Sequence, residues 1–346
     1  MTMQAFRIVE PQKVELREVP VPEPGPGQVL LKVGGAGACH SDLHLMEAPA
    51  DRLSGLPFTL GHENAGWVEK LGPGTTGFAP GDPVIVYGPW GCGICANCRL
   101  GMENYCEASG GFRAGGLGGK DGGLAPYMVV PSTRFLIPLG TLDPRDAAPL
   151  TDAALTTYHA VKRSLHLLGP GSTAVVIGAG GLGQMAIQIL RALSSATTIV
   201  AMDTADDKLA TAKRMGADEA LLSGDEAVTR IKDMTRGQGA QLVLDIVAVK
   251  PTLQMAAQVA RVRGQVTIVG LGDGALPVNF FSPPHECSVA STYWGSIPEL
   301  MEVVALAQAG KIQMLVEHFP LERVGEAYEL LREGRIQGRA VMTPNE

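Results

Sequence analysis

The chain of 346 residues is 45% hydrophobic and 18% charged, the range of a compact globule long enough for two domains. Its net charge of -7 argues against a general nucleic-acid or anionic-membrane binder. Its 44 glycines, well above the usual ~7% of residues, predict many tight turns and close backbone approaches.

In chain order, the N-terminal "MTMQAFRIVEPQKVELREV" is charged throughout and has no signal-peptide apolar core, so a cytoplasmic protein with reduced thiols is expected. Short alternating runs such as "QVLLKVGGAG", "AGWVEKLG" and "DPVIVYG" alternate with Gly/Pro clusters, which predicts a mainly β domain over residues 1–153. Two of its segments, "GACHSDLH" and "LGHENAG", carry Cys39 and His62, side chains suited to zinc, accompanied by Asp42, His44 and Glu63. Next comes "WGCGICANCRLGMENYC". It places Cys92, Cys95, Cys98 and Cys106, four of the chain's six cysteines, in a C-x2-C-x2-C-x7-C pattern. Four thiolates so spaced close a tetrahedral zinc site and leave no position for substrate; a redox C-x-x-C is the alternative.

From residue 154 to 295 the texture changes. Buried-type strands "TAVVIGAG", "TTIVAMD", "QLVLDIV" and "GQVTIVGL" alternate with helical stretches, the signature of a doubly wound parallel sheet. Residues 164–190 carry no Asp, Glu, Lys or Arg, but glycines break the run into strand, turn and helix rather than a membrane span. Gly178, Gly180, Gly181 and Gly183 form "GAGGLG" between strand and helix. The first allows a tight turn, the second lets the backbone approach a pyrophosphate, and the last lets helix and strand pack closely. Asp203, ending the next strand, suits the adenine-ribose hydroxyls and repels a 2′-phosphate, which points to NAD rather than NADP. The alternative is a helix-capping aspartate. Cys287, near His285, reads as packing rather than a further metal site. The tail, residues 296–346, contains two amphipathic helices and is expected to return to the first domain.

Taken in order, "CHSDLH", Gly61-His62-Glu63-x-x-Gly66-x5-Gly72, Gly81-Asp82, the four-cysteine loop and "GAGGLG" with Asp203 make the whole chain resemble the zinc-dependent medium-chain alcohol dehydrogenases, of the secondary-alcohol dehydrogenase or carbonyl reductase type. The resemblance implies an α/β plus β protein: a GroES-like, partly open β barrel, an inserted Rossmann-type domain, and a returning tail. It implies one catalytic and one structural zinc per subunit. Cys39 and His62 match catalytic-zinc ligands, with Glu63 near the metal and Asp42 fixing the imidazole. Ser41 matches the hydroxyl that takes the alcohol proton, and His44 the outer end of that relay through the nicotinamide ribose. His40 and Arg339 would face the pyrophosphate, Lys208 the adenine ribose, and Thr156 and Leu182 the nicotinamide.

One position departs from the common pattern. Where many members carry a third, cysteine ligand, this chain has Asp152, in "LTDAALTTYHA". Cys39 thiolate, neutral His62 and Asp152 carboxylate keep a ligand charge of -2, with a harder third donor; the alternative is a helix cap. Leu43, Tyr293, Trp294, Leu271 and Phe281 suggest an apolar substrate pocket, with Leu271 also beside the cofactor. The expected reaction is hydride exchange between NAD(H) and an apolar secondary alcohol or ketone, by a homo-oligomer, dimer or tetramer. The rivals are a zinc-dependent polyol dehydrogenase and an inactive cofactor-binding structural protein.

Overall fold

The computed structural model describes residues 1–108 and 114–346. They cluster into two compact units. One comprises Met1–Leu155, Gly295–Gln308 and Met314–Glu346; the other comprises Thr156–Trp294 and Ala309–Gln313.

The first part of the chain supplies eight short strands: β1 (Thr2–Glu10), β2 (Lys13–Pro20), β3 (Val29–Gly37), β4 (Phe58–Thr59), β5 (Glu63–Leu71), β6 (Pro83–Val86), β7 (Tyr127–Val130) and β8 (Leu136–Pro138). The second unit supplies β9 (Thr173–Ile177), β10 (Thr198–Asp203), β11 (Glu219–Leu222), β12 (Ala240–Asp245), β13 (Ala260–Ile268) and β14 (Ser288–Ser291). The tail adds β15 (Val316–Phe319) and β16 (Arg339–Met342) to the first unit.

In the first unit, β1 pairs with β2 and β4, and a larger sheet runs β15-β16-β3-β5-β6-β8, with β7 also on β3. The β3–β5 register shifts twice, between Leu30 and Leu31 and between Val33 and Gly35. Such bulges increase local twist and bend a strand. The core between these strands is filled by Ile8, Leu31, Leu60, Ile85 and Met128, all fully buried. Beyond the expected helices, the tail places β16 antiparallel to β3, with Val341 opposite Gly37. That pairing delivers the start of β16 to the end of β3, where Cys39 follows.

The second unit is one parallel sheet in the order β11-β10-β9-β12-β13-β14. β9 is "TAVVI", buried at every position because both faces of a doubly wound sheet are covered. Val175, Ile177, Val200, Met202, Val243 and Val266 form its core, and Cys287 packs against that core. The uncharged stretch after residue 164 becomes β9, a glycine turn and the helix Gly181–Leu193. Among the described residues no helix is long and apolar enough to cross a membrane. The chain's order around β9 reverses there, and in such sheets ligands bind at the carboxyl ends of the strands at that reversal.

Candidate active site

Three chain segments converge in the first unit. Cys39 follows β3 and precedes the helix His40–Met46; His62 precedes β5; Asp152 follows a 3-10 turn at Ala148–Thr151. Thr151 ties that turn down by donating from Oγ1 to the Val86 carbonyl at 2.6 Å. One ligand atom from each of Cys39, His62, Glu63 and Asp152 lies within 4.8 Å of all the others. Asp152 Oδ2 is 3.6 Å from His62 Nε2 and 3.7 Å from Cys39 Sγ. Tetrahedral zinc with ordinary bond lengths needs donor separations of roughly 3.3–3.5 Å, so the donor set fits zinc after a shift of a few tenths of an ångström.

The imidazole is held from behind. Asp42 is fully buried and its Oδ1 lies 3.0 Å from His62 Nδ1, which leaves Nε2 facing the cluster. Its Oδ2 accepts from the Cys39 N–H at 2.9 Å, so one carboxylate fixes two of the candidate ligands. Burial pushes the His62 pKa down, but the Asp42 charge and the imidazole's hydrogen bonds to Asp152 and Asp42 more than reverse this and hold it well above the ordinary value.

Glu63 is buried beneath these groups, and burial raises its pKa to about 7 against the opposing pull of Arg339. Gly37 makes room for it: a Cβ there would lie 2.0 Å from Glu63 Oε2. Arg339, which the family resemblance places at the cofactor pyrophosphate, has a buried guanidinium that pairs with Glu63. Nε donates to Glu63 Oε2 at 2.9 Å, Nη2 pairs with Oε1, and Nη2 is 3.7 Å from Asp152 Oδ2. Two neighbouring carboxylates out of water need a counter-charge, and Arg339 supplies it.

Around the cluster, Ser41 is half-buried with Oγ 3.4 Å from Cys39 Sγ. His44 is exposed and three residues along the same helix, hence on the same face. His40 is exposed and Leu43 buried.

The second candidate metal centre is the four-cysteine loop. Its sulfurs also lie within 4.8 Å of one another. Cys92 and Cys98 are 4.0 Å apart, close to the ~3.8 Å edge of a zinc–thiolate tetrahedron. Amide N–H groups already point at sulfur: Cys92 N to Cys106 Sγ at 3.3 Å and Cys95 N to Cys92 Sγ at 3.4 Å. Backbone donors from Ile94 and Cys95 lower the Cys92 pKa to about 6, whereas burial raises that of Cys98 to about 12. A buried thiol of that kind ionises against a cation, as this donor set requires. Arg134 braces the loop by donating to Glu103 Oε1 at 2.5 Å and to the Cys98 carbonyl.

In the second unit, Gly178 has φ +97° and its N–H donates to the Met202 carbonyl at 2.7 Å. A Cβ at Gly183 would lie 1.9 Å from the Gly178 carbonyl oxygen, whereas at Gly180 it would meet nothing within 4 Å. Helix and strand thus touch at Gly183, and space stays open at Gly180 beside the helix N-terminus. Asp203 Oδ2 accepts from the Ala179 N–H at 2.7 Å, and Oδ1 from Thr204 and Ala205 at 2.8 and 3.2 Å. The next helix has Ala205 as its N-cap, not Asp203. A carboxylate has about four acceptor positions, so one stays available for a ribose hydroxyl. Lys208, Leu182 and Tyr293 are half-buried, Thr156 and Trp294 buried, and Leu271 and Phe281 exposed.

Comparison with known proteins agrees with this geometry. Residues 25–141 match the family "Alcohol dehydrogenase GroES-like domain" and residues 181–309 "Zinc-binding dehydrogenase". An NAD-dependent alcohol dehydrogenase of Sulfurisphaera tokodaii is 38% identical, over 99% of this chain and 100% of its own length. The chain belongs to the zinc-dependent medium-chain alcohol dehydrogenases. Within that family, the crystal structure of the Aeropyrum pernix alcohol dehydrogenase superposes with TM-score 0.90 at 34% identity, covering 99% of this chain and 100% of that one. A D-arabinose 1-dehydrogenase (NADP(+)) of Saccharolobus solfataricus is 35% identical, over 97% of this chain and 95% of its own length. This alcohol dehydrogenase is a zinc-dependent oxidoreductase that exchanges hydride between NAD(H) and an alcohol or ketone.

One contributor to the site had no signal in the sequence. Tyr328, in the helix Val324–Arg332, donates its phenol O–H to Asp42 Oδ2 at 2.9 Å. In the sequence it is one apolar position of an amphipathic helix.

Proposed function

We propose that this dehydrogenase oxidises apolar secondary alcohols and reduces the matching ketones, with Cys39, His62 and Asp152 holding the catalytic zinc and the Cys92–Cys106 loop a structural one. The observation that carries the reading is the convergence of Cys39, His62 and Asp152 on one point, with His62 pinned through Nδ1 by Asp42. When bound, zinc supplies Lewis acidity at the substrate oxygen and NAD accepts the hydride. The chain's own residues do the rest. Asp42 keeps the imidazole in the tautomer that presents Nε2. Ser41 Oγ, beside Cys39, would take the substrate hydroxyl proton and pass its own by way of the nicotinamide ribose to His44, which is exposed and can hand it to water. Glu63 and Arg339 neutralise one another beneath the site.

We assign the cofactor to the second unit, with the pyrophosphate at Gly178–Gly183 and the adenine ribose at Asp203. The apolar or aromatic character of Leu43, Tyr293, Trp294 and Leu271, the positions the sequence assigns to the pocket, supports apolar substrates over polyols. The D-arabinose dehydrogenase among the relatives favours a sugar or polyol as the second reading. Steady-state rates with simple secondary alcohols, primary alcohols, sorbitol-like polyols and D-arabinose, each with NAD and NADP, separate the two. Better kcat/KM on sorbitol or D-arabinose than on simple secondary alcohols would overturn the first reading. In the same assay Asp203→Gly should raise the KM for NAD at least about tenfold, the loss expected for a charged hydrogen-bond acceptor, and narrow the preference over NADP. An unchanged KM would place the ribose elsewhere.

We also propose that the chain works in the cytoplasm as a homo-oligomer. Reduced cysteines at both metal centres suit that compartment. Phe280 and Phe281, 75% and 86% exposed, meet edge to face at 5.2 Å beside exposed Val278. An apolar patch of this kind favours burial against another copy. Phe281→Asp should shift the parent's sedimentation toward a smaller species; identical sedimentation would exclude this patch as the interface.

A further inference from the structure

We propose that Tyr328 is a positioning residue for the catalytic metal: its hydroxyl fixes the Asp42 carboxylate, and through it the orientation of His62. This rests on the reading of Cys39, His62 and Asp152 as the zinc ligands.

The acceptor accounting at Asp42 carries the inference. The carboxylate is fully buried, and its partners are the His62 ring, the Cys39 N–H and the Tyr328 hydroxyl. The Cys39 and Tyr328 donors both converge on Oδ2, at 2.9 Å each. Removing the phenol O–H leaves Oδ2 with one protein donor in a place that excludes water. The carboxylate then has more freedom to turn, and its remaining charge falls more heavily on the His62 N–H. Either change alters the imidazole as a ligand, because the group behind a metal-bound histidine sets both its direction and its basicity.

Tyr328 itself is built to hold that hydroxyl still. It is 2% exposed, and its ring stacks on Phe6 with centroids 6.0 Å apart and planes 20° from parallel. Burial, then the neighbouring Asp42 charge, push the phenol pKa well above its ordinary value, so the group remains a donor. The connection is long-range: Tyr328 lies 286 residues from Asp42, on a helix of the returning tail, while Phe6 belongs to the first strand. Both ends of the chain therefore brace one ligand.

Cobalt(II) in place of the catalytic zinc reads the ligand geometry directly, and the four-cysteine contribution cancels when variants are compared. In Tyr328→Phe the ring stack is kept, so folding and the cysteine-loop metal should be unchanged. The cobalt ligand-field bands should shift, and release of the catalytic-site metal to a chelator should speed up about 10- to 100-fold, the usual cost of losing such a partner. Phe6→Leu weakens the stack but keeps the hydroxyl, and should lower thermal stability without moving the bands. Growing the chain with 3-fluorotyrosine keeps every hydroxyl but strengthens the phenol as a donor. Its bands should move opposite to those of the phenylalanine variant, and they decide the matter alone if that variant does not fold. Bands and release rates matching the parent in the hydroxyl variants would overturn the role of Tyr328. A parent that takes up cobalt only in the four-cysteine loop would instead overturn the metal-site reading beneath it.

Discussion

Asp152→Ala should lower the zinc content from about two ions per subunit to about one, and hydride transfer should fall with it. The carboxylate oxygen faces both His62 Nε2 at 3.6 Å and Cys39 Sγ at 3.7 Å. Without it the cluster keeps one thiol, one imidazole and Glu63, and Glu63 is already forked by Arg339. A three-donor open zinc site that loses a donor loses its metal. Lewis-acid assistance contributes several kcal/mol to such a reaction, so kcat should drop at least about 1,000-fold. The competing role, a cap for the helix beginning at Ala153, predicts something much milder. Loss of a cap costs ~1 kcal/mol of stability and leaves metal and turnover in place. Zinc counted by elemental analysis, with NADH absorbance for turnover, distinguishes them. Two ions per subunit and near-parental kcat in the variant would move the third ligand elsewhere.

Cys95→Ser should do the reverse, lowering stability far more than intrinsic turnover. The loop from Cys92 to Cys106 contains only a four-residue helix, Ala96–Arg99, and a three-residue 3-10 turn, Glu103–Tyr105. Little regular backbone pairing holds it, so the metal's binding free energy is also the loop's ordering free energy. Losing one of four thiolates should lower Tm by roughly 10 °C, as expected when several kcal/mol leave a chain of this size. Turnover per correctly folded subunit should stay within about twofold of the parent, since no sulfur of this loop belongs to the catalytic cluster. Calorimetry beside zinc analysis makes the test. Parental Tm together with parental zinc content would rule out a metal staple.

The difference between the two sites follows how far each was legible in the sequence. Four cysteines within one short stretch, and a glycine turn between strand and helix, are local patterns whose residue types state their purpose. Cys39 and His62 come from separate segments, but Asp42 lies close enough to Cys39 for their association to be read. Asp152 carries no such mark, because an aspartate before a helix is also an ordinary cap; only the family pattern singled it out. The supports were less accessible still. Arg339 meets Glu63 across 276 residues, and Tyr328 meets Asp42 across 286. No periodicity reports a pairing of that span. The tail strands "VEHF" and "RAVM" are four residues each and carry charged or ionisable side chains, so their strand character comes from the sheet they join. Arg339 was placed at the pyrophosphate by the family resemblance alone, and nothing in the sequence announced its pairing with Glu63.

The return of the tail to β3 makes the two clusters unequal in what they depend on. The four cysteines of the loop lie within one stretch of chain, so their cluster needs no contribution from the tail. The catalytic pocket has no such independence. Glu63 lacks its counter-ion and Asp42 lacks its phenol until the last strand and the helix before it have been synthesised and docked. The buried charges around the candidate reactive cluster are therefore balanced only once the tail has docked, whereas the cysteine loop draws its four sulfurs from one stretch of chain.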